Sequence, residues 1–189
     1  MEAKSTRRRW TYSEFAHLPI SGSTRYEIID DELVVTPSPG TRHQRIVTRL
    51  VFTLYGFVEA HDLGEVFVSP FDVLFAEGDY LEPDILFVRK DRADVVTDRG
   101  IEGPPDLVVE VLSPSTAVRD RGVKLERYRL YGVPEYWIVD PDGQTVEVWR
   151  LGDDAKAPMS LTRADTLRWE PMAGRATLEV ALAELFGPE

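Results

Sequence analysis

The longest regular hydrophobic pattern in the chain runs from Thr41 to His61. Ile46, Val47, Leu50, Val51, Leu54, Phe57 and Val58 recur there at three- and four-residue spacing, which predicts an amphipathic helix. Thr41 with Gln44 offers a capping box at its start, and Gly64 lies just past its end. Upstream, Thr11-Tyr12-Ser13-Glu14 has the Thr-x-x-Glu form and should open a short helix. Between the two helices, Arg25 to Ile29 and Glu32 to Thr36 are β-rich runs joined by Asp30-Asp31, which reads as a hairpin closed by Pro37-Ser38-Pro39-Gly40.

Downstream of the long helix the period changes to that of strands. Glu65 to Phe75 and Tyr80 to Val88 are predicted as two strands around the turn sequence Glu77-Gly78-Asp79. Arg89 to Gly103 is polar and irregular. Asp106 to Leu112 is so apolar that it should be buried on both faces. A helix from about Ala117 to Tyr131 follows, with Gly132 as its C-cap. Glu135 to Val139 is another buried strand, Asp140-Pro141-Asp142-Gly143 a turn, and Thr145 to Leu151 a returning strand. Two short strands near Thr166 to Trp169 and Ala176 to Leu178, then a helix near Val180 to Phe186, complete the tail. The order helix, strand, strand, strand, helix, strand predicts an α/β (α+β) domain with a mixed sheet. A chain of 189 residues fits a single domain, with its core at about 41–151.

Composition narrows the chemistry. The chain has no cysteine, which removes disulfides, thiolate metal sites and cysteine nucleophiles. Any metal must sit on oxygen or on His17, His43 or His61. No stretch approaches the roughly 20 apolar residues of a membrane helix, and Met1 to Trp10 lacks the apolar centre of a signal peptide, so the expected location is the cytoplasm. With 33 acidic and 22 basic residues the net charge is −11, which repels nucleic acid at long range. A nucleic-acid enzyme of this composition needs a local basic face. The candidate runs are Arg7, Arg8, Arg9; Arg42, Arg45, Arg49; and Arg119, Arg121, Lys124, Arg127, Arg129, each of which also suits an ordinary solvated face.

Glu110 is the most informative single residue. It is a carboxylate flanked by Leu107, Val108, Val109, Val111 and Leu112, and a buried charge needs a partner. Asp84 follows Pro83, which lacks a ladder donor, at a place where a side chain can be aimed out of the sheet; a plain turn aspartate is the alternative. Asp106 lies four strand residues from Glu110, about 13 Å. That is too far to share one ion with it, so Asp106 reads as a residue at the start of the strand. Two carboxylates on adjacent strands suggest a hard cation, Mg²⁺ or Mn²⁺, able to polarise a phosphoryl oxygen and activate water. Lys124, on the helix after the Glu110 strand, is the candidate positive group; an i,i+4 ion pair with Asp120 is the alternative.

These residues carry a family resemblance. Pro83-Asp84 and Glu110-Val111-Leu112, within the predicted element order, resemble the PD-(D/E)XK nuclease superfamily. The segment Tyr26 to Leu33, Arg42-His43-Gln44, Glu82-Pro83-Asp84, Pro105 to Ser115, Lys124 to Tyr128 and Gly132 to Pro141 together resemble the Uma-two family of restriction-endonuclease-like proteins. The resemblance covers roughly residues 10 to 151. It implies a restriction-endonuclease-like αβββαβ core with an N-terminal hairpin and C-terminal strands. It implies a Mg²⁺- or Mn²⁺-dependent endonuclease that hydrolyses phosphodiester bonds in DNA, with the metal on Asp84, Glu110 and the Val111 carbonyl. Leu112 departs from the superfamily pattern, which has a lysine there; the narrower resemblance implies that Lys124, from the following helix, stands in for it. Glu27 and His43 match further family positions. Glu27 would bind a second ion, orient a water or form a cross-strand pair, and His43 sits at a helix start that suits phosphate. Arg42, Arg45 and Arg121 would serve backbone phosphates of double-stranded DNA. The aromatic residues Tyr12, Tyr26, Tyr128, Tyr131, Tyr136 and Trp137 read as packing, with base stacking as the alternative, and His17 and His61 as structural or surface residues. The open edge of the early hairpin suggests a homodimer, whose two-fold axis would match a duplex. Two alternatives stand beside the nuclease reading: a non-catalytic nucleic-acid-binding or assembly module on the same fold, and an enzyme acting on another phosphorylated or small substrate.

Overall fold

The computed structural model describes residues 8–18, 25–152 and 157–187. Arg7, Lys4 and Lys156, and the start of the N-terminal segment, lie outside them. In chain order the elements are α1 (Tyr12–Ala16), β1 (Arg25–Ile29), β2 (Glu32–Thr36), α2 (Thr41–Ala60), β3 (Gly64–Val68), β4 (Val73–Ala76), β5 (Asp79–Leu81) and β6 (Ile85–Arg89). A 3₁₀ turn (Lys90–Val95) leads to β7 (Val96–Thr97), β8 (Gly100–Glu102) and β9 (Leu107–Val111). Then come α3 (Ala117–Arg119), a π-turn (Asp120–Lys124), α4 (Leu125–Leu130), β10 (Glu135–Asp140), β11 (Thr145–Arg150), β12 (Met159–Thr162), β13 (Thr166–Trp169), β14 (Leu178–Ala181) and α5 (Leu182–Phe186).

The strands form two mixed six-stranded sheets, ordered β12-β11-β10-β9-β6-β3 and β2-β1-β5-β4-β8-β7, and a β13–β14 pair. In the first sheet β9 and β10 are parallel, joined by the α3–α4 crossover, and β6 runs antiparallel to β9. Alternation along β9 explains its apolar run. Leu107, Val109 and Val111 pack with Ile46, Leu50, Leu54 and Val58 of α2 on one face. Val108 and Leu112 pack with Leu125, Tyr128 and Val133 around α4 on the other. Both faces are therefore covered, and every residue of β9 is buried. Glu110 belongs by register to the α4 face. Leu50 and Leu54 are fully buried, so truncation of either to alanine would cost about 2–5 kcal/mol.

The structure departs from the sequence expectations at definite places. Each of the two long strands expected at Glu65–Phe75 and Tyr80–Val88 is split, so four strands form, near Pro70 and Pro83, which carry no ladder donor. Their outer parts, β3 and β6, stay in the first sheet; β4 and β5 form the Gly78 hairpin of the second. The expected cap at Thr41 is absent: Gly40 is the N-cap and no side chain caps the helix. Gly64 opens β3 and is not a helix C-cap, because Asp62 already takes the left-handed turn (φ 51°). Arg89–Gly103, expected to be irregular, holds the 3₁₀ turn, β7 and β8. The tail holds one unexpected strand, β12, and β14 begins two residues later than the predicted strand there. The helix expected over Ala117–Tyr131 is interrupted at Gly122 (φ −113°, ψ −106°) by a π-turn, although Gly132 (φ 78°) does follow its end as expected.

The early hairpin is built as its sequence suggests. Asp30 and Asp31 both have positive φ (53° and 65°), the primed geometry that matches strand twist. The hairpin turn is anchored by the Asp30 N–H to Asp79 (2.9 Å) and the Asp31 N–H to the Gly78 carbonyl (3.0 Å). That docking carries β1, and with it Arg25 and Glu27, over the end of the first sheet.

Candidate active site

Ile85 pairs with Val109, so Asp84, just before β6, falls beside Glu110 on β9 at one end of the sheet. The Val111 N–H donates to Asp84 Oδ2 at 2.8 Å and fixes that proximity. His43, in the first turn of α2, donates from Nε2 to the same oxygen at 3.1 Å. Arg25 Nη1 donates to Asp84 Oδ1 (3.0 Å) and to the Glu82 carbonyl (3.1 Å). Burial alone would raise the Asp84 carboxyl, but the His43 hydrogen bond, the Arg25 and His43 charges and the Val111 N–H hold it below its ordinary value.

Glu110 sits behind Asp84, 1% exposed. Its Oε1 accepts from Lys124 Nζ at 2.7 Å and from the Tyr128 hydroxyl at 2.8 Å. Lys124 also reaches Glu27 Oε1 at 2.8 Å, while its i,i+4 neighbour Asp120 is farther, at 3.7 Å. Glu27 in turn accepts from the Glu82 N–H at 3.0 Å. Burial pushes Glu110 up to about 8, with Lys124 opposing and the Asp120, Asp84 and Glu27 charges adding. Burial disfavours the Lys124 ammonium, yet Glu110, Glu27 and Asp120 together overcome this and hold it charged, above its ordinary value. Burial also pushes Glu82 up to about 7.

The structure thus brings together Asp84, Glu110, Lys124, Glu27, His43 and the Val111 backbone. Others stand apart. Arg42 pairs with Asp142 at 2.6 Å, and Arg121 pairs with Glu147 (2.8 Å) and Asp140 (3.2 Å). Arg45 is exposed on α2. Asp106 lies at the far end of β9, bound to the Arg89 N–H and to Arg92. Among the described residues, His17 and His61 hydrogen-bond only to carbonyls of their own helices. Four residues of the cluster escaped the sequence reading of the site: Arg25, Glu82, Asp120 and Tyr128. Asp120, Lys124 and Tyr128 follow at intervals of four, the one signal that placed them on a common helix face.

An open cavity of about 720 Å³ adjoins the Asp84 side, with Arg25, His43, Glu82 and Asp84 among its polar lining and Tyr12 and Phe71 among its aromatic walls. Glu110 and Lys124 do not line it. Five buried carboxylates (Glu27, Glu82, Asp84, Glu110, Asp120) face two fixed cations, Arg25 and Lys124. Both Asp120 oxygens are buried without a partner in good hydrogen-bond geometry among the described residues. This excess of hard oxygen donors fits a divalent cation. Among the described residues no three His, Asp or Glu side chains form a ready-built cage, as expected where cations and N–H groups already occupy the carboxylates.

No helix among the described residues is long and apolar enough to cross a membrane. The fold is similar to that of a crystal structure described as a "putative nuclease belonging to DUF820" from Anabaena variabilis ATCC 29413, with a TM-score of 0.76. Sequence identity is 22%, and the match covers 94% of this chain and 97% of the other. No curated protein matches the chain. The sequence matches the family described as "Uma2: Putative restriction endonuclease" over residues 12–181. With most of its length matched and with a nuclease-like fold, the chain belongs to the Uma2 restriction-endonuclease-like family.

Proposed function

We propose that the protein is a divalent-metal-dependent endonuclease that hydrolyses DNA phosphodiester bonds. One observation carries the reading: a buried excess of carboxylates at the end of β6 and β9, with a lysine brought to Glu110 from the following helix. Asp84, Glu110 and the Val111 carbonyl would hold Mg²⁺ or Mn²⁺. The bound ion would polarise the scissile phosphoryl group and make water acidic enough to attack it.

The chain's own groups divide the remaining work. Lys124 orients the attacking water or offsets charge in the transition state. Glu27 shares and steers that ammonium. His43 fixes the Asp84 carboxylate from behind, as an outer partner of a metal ligand does. Arg25 lines the cavity, where its guanidinium suits a phosphate. Arg42, Arg45 and Arg121 would track the backbone of a duplex, and a homodimer paired through the β2 edge would bring two sites to two strands.

A non-catalytic binding or assembly module is the second reading. It is favoured by the ion pairs that hold Arg42 and Arg121 to acidic neighbours and by the absence of Glu110 and Lys124 from the cavity wall. Plasmid cleavage with Mg²⁺ or Mn²⁺ at low salt, comparing wild type with Glu110→Ala, separates the two. Metal-dependent cutting lost in the variant supports the nuclease. No cutting by wild type, with no metal binding by calorimetry, supports the module.

A further inference from the structure

Asp120 has no role in the chemistry described so far, yet it is 1% exposed and, among the described residues, neither of its oxygens has a partner in good hydrogen-bond geometry, although the Thr116 hydroxyl pulls its carboxyl down against the effect of burial. An unpartnered buried carboxylate is costly and calls for an explanation. Among the described residues, the cation facing it is Lys124, 3.7 Å away, just beyond hydrogen-bond reach. Lys124 has three ammonium protons. Two partners, Glu110 at 2.7 Å and Glu27 at 2.8 Å, are in contact. The third carboxylate stands about 1 Å farther away than these two.

The backbone explains the gap. Asp120 and Lys124 open and close the π-turn, whose Gly122 leaves helical geometry. The turn holds both residues on the inner face without pressing them into contact. π-turns of this kind are concentrated at functional sites.

We propose that Asp120 is the positioning residue that receives the Lys124 ammonium when Glu110 is given over to a divalent cation. This rests on the cation site of the proposed function. Lys124 now occupies Glu110 Oε1, so the ammonium and a cation compete for the same carboxylate. A short swing of the lysine side chain satisfies Asp120, keeps Glu27 as a pivot and clears Glu110. Asp120 thereby lowers the cost of cation loading and fixes where Lys124 stands during the reaction.

The test is titration of the full chain with Mg²⁺, read by calorimetry and by the ¹⁵Nζ signal of Lys124, in wild type and Asp120→Asn. Mg²⁺ affinity should be about tenfold weaker in the variant, the scale of an outer-shell loss, and the Mg²⁺-induced Lys124 shift should shrink. Equal affinity with the same Lys124 shift overturns the proposal and leaves the nuclease reading intact. Absence of Mg²⁺ binding by wild type overturns both. If the variant does not fold, the wild-type titration decides. Lys124 ¹⁵Nζ and Asp120 ¹³Cγ signals moving together in one saturable step support the hand-over, and a stationary Lys124 signal overturns it.

Discussion

Replacing Lys124 by methionine keeps the side-chain volume and removes the ammonium that, among the described residues, alone contacts both Glu27 and Glu110. Both glutamates are about 1% exposed, so water cannot take over its role. Breaking a buried pair from one side costs about 3–5 kcal/mol. Protonation sets an independent ceiling. A glutamate that titrates near 4.3 in water needs about 3–4 kcal/mol to hold a proton at pH 7 and about 1 kcal/mol at pH 5. The two figures agree at pH 7, and only the second carries a pH dependence. Urea unfolding of the metal-free protein should therefore show Lys124→Met destabilised by about 3–4 kcal/mol at pH 7 and by about 1 kcal/mol at pH 5. In a chain of this length the pH 7 loss corresponds to a melting temperature lower by roughly 6–16 °C. A loss under about 1 kcal/mol at pH 7, or one that does not shrink on acidification, would refute the view that Lys124 neutralises buried carboxylate charge.

Glu110→Gln should abolish cleavage, by on the order of 10²-fold or more, without lowering metal-free stability, since Lys124 keeps Glu27 as a partner and the amide resembles the protonated carboxyl; a stable variant that still cuts would sink the site assignment. His43→Ala should weaken Mg²⁺ binding by about 10- to 100-fold through loosened Asp84, and calorimetry showing unchanged affinity would remove His43 from the site. The raised carboxyls of Glu110 (about 8) and Glu82 (about 7) favour the protonated fold, so metal-free stability should fall as pH rises from about 5 through 8. The lowered Asp84 acts oppositely and loses its contribution only as pH drops below its ordinary value of 3.8. Saturating Mg²⁺ should flatten the upper limb; urea midpoints that rise from pH 5 to 8 without metal would contradict this. Far from the chemistry, Gly78→Ala should cost roughly 2 kcal/mol, because its φ is 92° and a Cβ would stand 2.1 Å from Asp31 Oδ1; a neutral result in thermal melts would show that the hairpin dock yields.

The sequence made the central layer legible because periodicity reports burial. The three- and four-residue spacing of Ile46 to Val58 and the unbroken apolar run of β9 each placed an element against the core. Glu110 stood out for the same reason, as the one charge in that run. What remained hidden depends on contacts that local pattern does not encode. Arg25 is an ordinary strand-start residue until the docked hairpin carries it to Asp84. The division of strands between two sheets follows from Pro70 and Pro83, yet proline marks only a break and says nothing about which sheet each half joins. Gly122 was invisible because an isolated glycine in a helical pattern is usually tolerated.

The π-turn has an evolutionary reading. A π-turn is geometrically a one-residue insertion in a helix, and each residue advances the helix by about 100°. The turn absorbs that residue locally, so the helix beyond it keeps its facing and Lys124 and Tyr128 both reach Glu110. A lineage could thus gain or lose the bulge by one codon and retune the gap between Asp120 and Lys124 with the sheets and the Glu110 contacts untouched, whereas substitution would have to remove the charged residues one at a time through intermediates with an unpaired buried charge.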